Sequence, residues 1–108
     1  MNAASPILEV AVLNVLPAQC VQFETAFREA VTIISSMPGY LSCELRRCLE
    51  ISNRYILLVQ WRSLEDHTVG FRSSAEYKRW RELLHHFYDP FPTVEHYAAP
   101  LETHHGHD

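Results

Sequence analysis

From Met37 to Trp80 the chain carries a run of signals that leaves few folds open. Met37-Pro38-Gly39-Tyr40 is a turn, because the residue before a proline is pushed out of helical geometry and glycine accepts a left-handed backbone. Two strand-like stretches follow, 41–49 and 54–62, joined by Glu50-Ile51-Ser52-Asn53. In the first, Leu41, Cys43, Leu45 and Leu49 are set against Ser42, Glu44 and Arg46. The second, Tyr55 to Trp61, is apolar on both faces and suits a central strand. Ser63 with Asp66 and Ser73 with Glu76 have capping-box spacing, so a helix is predicted after each. The first is short and ends at Phe71. The second places Tyr77, Trp80, Leu83, Leu84 and Phe87 along one face.

The flanks complete the pattern. A strand is predicted over 7–14, with Leu8, Val10, Val12 and Asn14 on one face and Ile7, Glu9, Ala11 and Leu13 on the other. Pro17 suits the first turn of a helix, and Cys20, Phe23, Phe27, Val31 and Ile34 then recur at helical spacing. Asp89-Pro90-Phe91-Pro92 is a stiff link, and a closing strand is predicted over 93–98. Strand–helix–strand–strand–helix–strand implies an α+β fold. It is a ferredoxin-like βαββαβ sandwich, a four-stranded antiparallel sheet with both helices on one face and a small pocket between the layers. At 108 residues this is one domain. Residues 1–6 form a lead-in, 7–98 the domain, and 99–108 a flexible tail containing His104, His105 and His107. Apolar residues occupy both faces of the strands. Leaving a row such as Tyr55, Leu57, Val59 and Trp61 wet costs on the order of 1.5–3 kcal/mol per large side chain. A homodimer, sheet against sheet, is the expected solution.

Composition excludes several classes. The net charge is −4, and Arg46, Arg47, Arg79 and Arg81 are interspersed with Glu44, Glu50, Glu76 and Glu82, so no basic stripe forms for nucleic acid. No run approaches the ~20 apolar residues of a membrane span, and no basic region leads into a long apolar run as in a secretory signal. Three glycines without a phosphate-cradling spacing argue against nucleotide binding. Cys20, Cys43 and Cys48 are odd in number and lack a C-x-x-C. Reduced thiols in the cytoplasm are the natural reading, with Cys20 a small buried apolar residue.

The segments Met37-Pro-Gly-Tyr-Leu41, Tyr55-Ile-Leu-Leu-Val-Gln-Trp61-Arg-Ser63, His67 in the following helix, and Phe71-Arg-Ser73-x-x-x-Tyr77-x-x-Trp80 resemble the antibiotic biosynthesis monooxygenase family. The resemblance covers about 7–98 and implies a dimeric α+β barrel. It also implies a cofactor-independent monooxygenase that oxidises a small aromatic phenol or hydroquinone to a quinone with O₂. No flavin or metal is required, because the substrate supplies the electrons. Haem-degrading relatives place an Asn at the end of the first strand, here Asn14. Aligned from Trp61, however, their Trp and iron-ligating His fall on Gly70 and Trp80. The alternatives are a non-catalytic small-molecule-binding dimer and an isomerase of a small carbonyl compound.

Site candidates follow from residue type. Tyr77, Trp80 and Tyr88 offer aromatic walls for a flat substrate. His67 lies beside a predicted helix N-terminus, whose dipole favours the neutral imidazole and hence a proton acceptor. His85 and His86 lie near a helix C-terminus, which favours protonation. They point about 100° apart, so at most one faces a pocket, and His86 is taken with His67 as the catalytic pair. His96, which alternates with Glu95 and Tyr97 on the closing strand, is taken as a further substrate-binding residue. In the resemblance-based mechanism Asn14 and Tyr88 hold substrate oxygens. No metal site is expected, since there is no i, i+4 His pair and a flexible His tail binds metal only loosely.

Overall fold

A computed structural model, describing residues 6–106, shows the elements in the predicted order. They are β1 (Ile7–Asn14), α1 (Cys20–Ile34), β2 (Tyr40–Arg47), β3 (Arg54–Trp61), α2 (Ala75–Leu84) and β4 (Val94–Tyr97). All strand pairings are antiparallel, and the spatial order is β2-β3-β1-β4. Both helices lie on one face, which is the ferredoxin-like arrangement. Most of the predicted lead-in, and His107 of the tail, fall outside the described residues.

Period-two alternation decides which side chains meet the helices. On β1 these are Glu9, Ala11 and Leu13, and on β3 Tyr55, Leu57, Val59 and Trp61, all buried. Phe23 and Phe27 of α1 meet them, with the Phe23 ring 5.0 Å from that of Tyr55. Trp80 of α2 closes the layer, 6.0 Å from Phe27. This corrects one expectation: the row Tyr55, Leu57, Val59 and Trp61 is covered by the chain's own helices. The face left without cover is the opposite one. There Leu8, Val10, Ile56 and Leu58 are half-buried, and Val12 and Tyr97 are 43% and 51% exposed.

Three local departures from the sequence reading have physical causes. The β2–β3 register shifts between Tyr40 and Ser42. The bulge turns Tyr40 inward beside Cys43 and Leu45, while Leu41 and Leu49, expected on the core row, are exposed. Helix α2 is capped by Ser74, not Ser73, the Ser74 hydroxyl accepting from Tyr77 N at 3.1 Å. The short helix is a π-helical turn over Asp66–Phe71, in which Arg72 N donates to His67 O, five residues back, at 3.1 Å. Ser63 Oγ starts it, accepting from Asp66 N at 3.2 Å and donating to Asp66 Oδ2 at 2.9 Å.

Beyond α2, the chain is tied back to the end of β1. Leu16 N donates to Phe87 O at 2.9 Å and Asp89 N to Asn14 O at 2.8 Å, bracketing a Val15–Tyr88 bridge. At the other end of the sheet Gly39 takes φ +84°, and a Cβ there would collide with the Asp66 carboxyl group. A left-handed backbone alone costs a non-glycine residue roughly 1–2 kcal/mol. Gly39→Ala should therefore lower the urea unfolding free energy by at least about 1–2 kcal/mol; wild-type stability in that variant would contradict this packing.

Candidate active site

A cavity of about 430 Å³ opens between the sheet and the α2 side of the helix layer. The sheet contributes Glu9, Ala11, Leu13 and Leu57 to its wall, and the π-turn contributes His67 and Phe71. Tyr77, Trp80, His85 and Tyr88 come from α2 and the turn after it, Phe91 and Pro92 from the link into β4, and Val94 from the start of β4. The volume suits a molecule of one to three rings.

The polar centre of this cavity is a carboxylate on a core-facing row. Glu9 is only 6% exposed and His67 3%. Trp61 Nε1–H donates to Glu9 Oε1 at 2.9 Å, and His67 Nε2 lies 3.4 Å from the same oxygen. His67 Nδ1 lies 2.8 Å from His96 Nε2. The register produces this grouping. Glu9 stands opposite His96 on β4 and opposite Val59 on β3, one diagonal from Trp61. The His67 ring stacks on Trp61 at 5.4 Å. When Glu9 is ionised and can only accept, the matching tautomer of His67 carries its proton on Nε2 and accepts at Nδ1 from His96 Nε2–H. Glu9's contacts within the chain thus run through Oε1, which leaves Oε2 for a ligand.

Burial governs the ionisation of these groups. It raises the Glu9 pKa above its usual value, opposed by the Trp61 hydrogen bond and the charge of Arg72. Burial, helped by the charges of Arg72 and His96, pushes His67 down to about 3. His96 is also lowered, by burial and then by Arg72. His67 is neutral, as its sequence position suggests, but because it is desolvated rather than through a helix dipole. His85 departs from the reading: its pKa is lowered, by burial first and then by Arg81, not raised at a helix end. Burial raises Tyr88, aided by Glu9 and Tyr77, so its phenol stays a hydrogen-bond donor.

Of the residues singled out in the sequence, the cavity brings together His67, Tyr77, Trp80 and Tyr88, with His96 standing behind His67. It does not include His86, which is exposed, its ring 4.2 Å from Phe87; its neighbour His85 takes the place in the wall. Asn14 is also outside. It lies on the opposite sheet face, where its Oδ1 accepts from Arg54 Nε at 3.0 Å. Both nitrogens of His67 face protein groups, so it is not placed to take a proton from a ligand directly. The residue missed is Glu9. Its signal was a single carboxylate in the otherwise apolar row Ile7, Ala11, Leu13.

An antiparallel ferredoxin-like sheet with a buried carboxylate opening on an aromatic-walled cavity defines an α+β protein with a candidate small-molecule site. The chain belongs to the antibiotic biosynthesis monooxygenase family, whose profile matches residues 6–83. It is 52% identical over 91 residues to the uncharacterized protein YczJ of Bacillus subtilis, covering 84% of this chain and 96% of that one. It is similar in structure to an antibiotic biosynthesis monooxygenase-type protein of Bordetella bronchiseptica, with TM-score 0.85 and 31% identity over 90% of this chain and 99% of that one. It also shares its fold with SnoaB, a cofactor-independent oxygenase of Streptomyces nogalater, with TM-score 0.68 and 18% identity over 94% and 97% of the two chains. Glu9, Trp61, His67 and Arg72 lie within the matched residues; His85, Tyr88 and His96 lie beyond them.

A lowered His pKa means the folded state favours the neutral ring. Its contribution to stability is complete above the ordinary value of 6.5 and is lost as pH falls toward about 3. The urea midpoint should therefore fall between pH 7 and pH 5, and fall less in His67→Phe. In ¹⁵N spectra the His67 ring should remain neutral at pH 5; protonation near pH 6.5 would contradict its burial beside Glu9.

Proposed function

We propose that this protein is a cofactor-independent monooxygenase that converts a small electron-rich phenol to a quinone. The observation that carries the reading is the Glu9 carboxylate, desolvated and oriented by Trp61 and His67, at the floor of an aromatic-walled cavity. Family membership and the activity named for SnoaB support it. Raising a carboxyl pKa makes its carboxylate a better proton acceptor.

In this mechanism the ring lies among Tyr77, Trp80 and Tyr88, and its hydroxyl meets Glu9 Oε2. Glu9 takes the phenolic proton. His67, held by His96, keeps the carboxylate in place as a positioning residue. The ring anion passes an electron to O₂, and the two radicals combine at a ring carbon para to the oxygen. The resulting peroxide takes up the proton from Glu9 and loses water. Loss of that carbon's C–H proton as the O–O bond breaks completes the water, so one phenol and one O₂ give one quinone and one water, the four-electron oxidation of the ring matching the four-electron reduction of O₂. The Tyr88 hydroxyl is a donor to the developing oxyanion.

The protein acts as a homodimer in this reading. The half-buried Leu8, Val10, Ile56 and Leu58, with exposed Val12 and Tyr97, give the sheet's outer face an apolar surface. The free thiols of Cys20, Cys43 and Cys48 suit a reducing compartment such as the cytoplasm.

Aerobic incubation with naphthols and hydroquinones in an oxygen electrode should show uptake that Glu9→Gln reduces by about 100-fold or more. Uptake equal to that of Glu9→Gln would contradict the mechanism, and turnover undiminished under nitrogen would make the protein an isomerase. Light scattering should give twice the chain mass, reverting to one chain in Val12→Lys; a wild-type monomer at micromolar concentration would remove the dimer.

A further inference from the structure

Among the described residues Arg72 is the only Lys or Arg in the cavity wall. Three other arginines are engaged by side chains outside the cavity. Arg46 pairs with Glu44 at 2.6 Å, Arg62 with Asp66 at 3.4 Å, and Arg54 donates to Asn14 at 3.0 Å. Among the described residues no carboxylate forms an ion pair with Arg72. The residue is exposed yet lines the cavity, so its guanidinium stands where the cavity meets solvent. Its backbone closes the π-turn onto His67 O at 3.1 Å, so one turn sets His67 in the wall and Arg72 at the rim.

Two functions compete for this guanidinium. It could neutralise Glu9, but the Glu9 oxygen that makes contacts is taken by Trp61 and His67, and no Arg72–Glu9 hydrogen bond forms. Its charge nevertheless reaches Glu9, His67 and His96. The cavity is therefore polarised, with an acceptor carboxylate at the floor and a permanently charged, planar, five-donor cation at the mouth. A neutral ligand would leave the fork without a partner. A ligand with an acid group would be oriented, since Glu9 repels an anion placed deep and Arg72 attracts one at the rim.

We propose that the ligand of this cavity is a hydroxyaryl carboxylic acid, its carboxylate gripped by Arg72 at the mouth and its hydroxyl directed inward to Glu9. The proposal rests on the reading of the cavity as an aromatic-binding site. It is independent of whether that site reacts with O₂.

Calorimetric titration with 6-hydroxy-2-naphthoate and with 2-naphthol, two ligands with the same ring system, tests it by binding alone. The acid should bind about 10-fold or more tightly, the increment of one charge-assisted bidentate contact. Arg72→Gln should remove that preference while leaving 2-naphthol affinity within about 2-fold, and Arg72→Lys should keep part of it. Equal affinity for the two ligands in the wild-type protein, or a preference that survives in Arg72→Gln, overturns the proposal and leaves the aromatic site standing. If neither ligand binds, the aromatic site itself is refuted, and the assignment of Arg72 with it.

Discussion

The structure of the site turns on one buried carboxylate. Glu9 occupies a position that alternation assigns to the core, between Ile7 and Ala11 on β1. A carboxylate taken out of water and left without partners is strongly destabilising. Here the indole N–H of Trp61 meets it at 2.9 Å, and His67 supports the same oxygen. Every element that touches Glu9 is constrained in turn. A one-residue slip of β1 would carry Glu9 to the outer face and leave Trp61 and His67 without a partner. The β1–β3 and β1–β4 registers, which bring Trp61 and His96 to Glu9, are thus part of the site as much as of the sheet.

The second constraint is the turn that delivers His67. An ordinary α-helix after Ser63 would place successive side chains 100° apart. In the π-turn Asp66–Phe71 the i, i+4 pair His67 and Phe71 is buried while Val69 between them is exposed, and the turn closes five residues back instead of four. Its first residue, Asp66, is held by Ser63 and packs against Gly39. The Pro-Gly turn before β2 and the histidine in the cavity wall are therefore mechanically linked. Cys43, opposite Val59 on the core row of β2, lies in the same neighbourhood. Burial, with the charges of Glu9 and Glu44, pushes its thiol up to about 12, which leaves it a neutral packing group.

Much of this was legible in the residues, and the misses have physical reasons. Strand order, helix faces and the aromatic wall of Tyr77, Trp80 and Tyr88 follow from periodicity, which reports burial directly. Periodicity does not say which of two apolar faces meets the helices, and the Tyr55 row, expected against a partner sheet, meets the chain's own helices. It also cannot see a bulge, which moved Tyr40 inward and Leu41 outward, nor a π-turn, which gives no distinctive composition. Histidines drew attention because of their ordinary pKa, yet His86 and His85 differ only by a rotation that depends on where α2 ends. Asn14 sits at the strand end that the resemblance emphasises, but its parity puts it on the outer face. Glu9 is visible as a charge in an apolar row, but a lone carboxylate with an ordinary pKa far below neutrality is a weaker signal of proton chemistry than a histidine.

In the proposed mechanism Glu9 is the group that meets a bound hydroxyl. A crystal structure of the protein soaked with 2-naphthol measures this most directly. It should show the ring between Tyr77, Trp80 and Tyr88, with its oxygen within hydrogen-bond distance of the Glu9 carboxylate. A ligand seated elsewhere, or one whose hydroxyl turns away from Glu9 toward solvent, would contradict it.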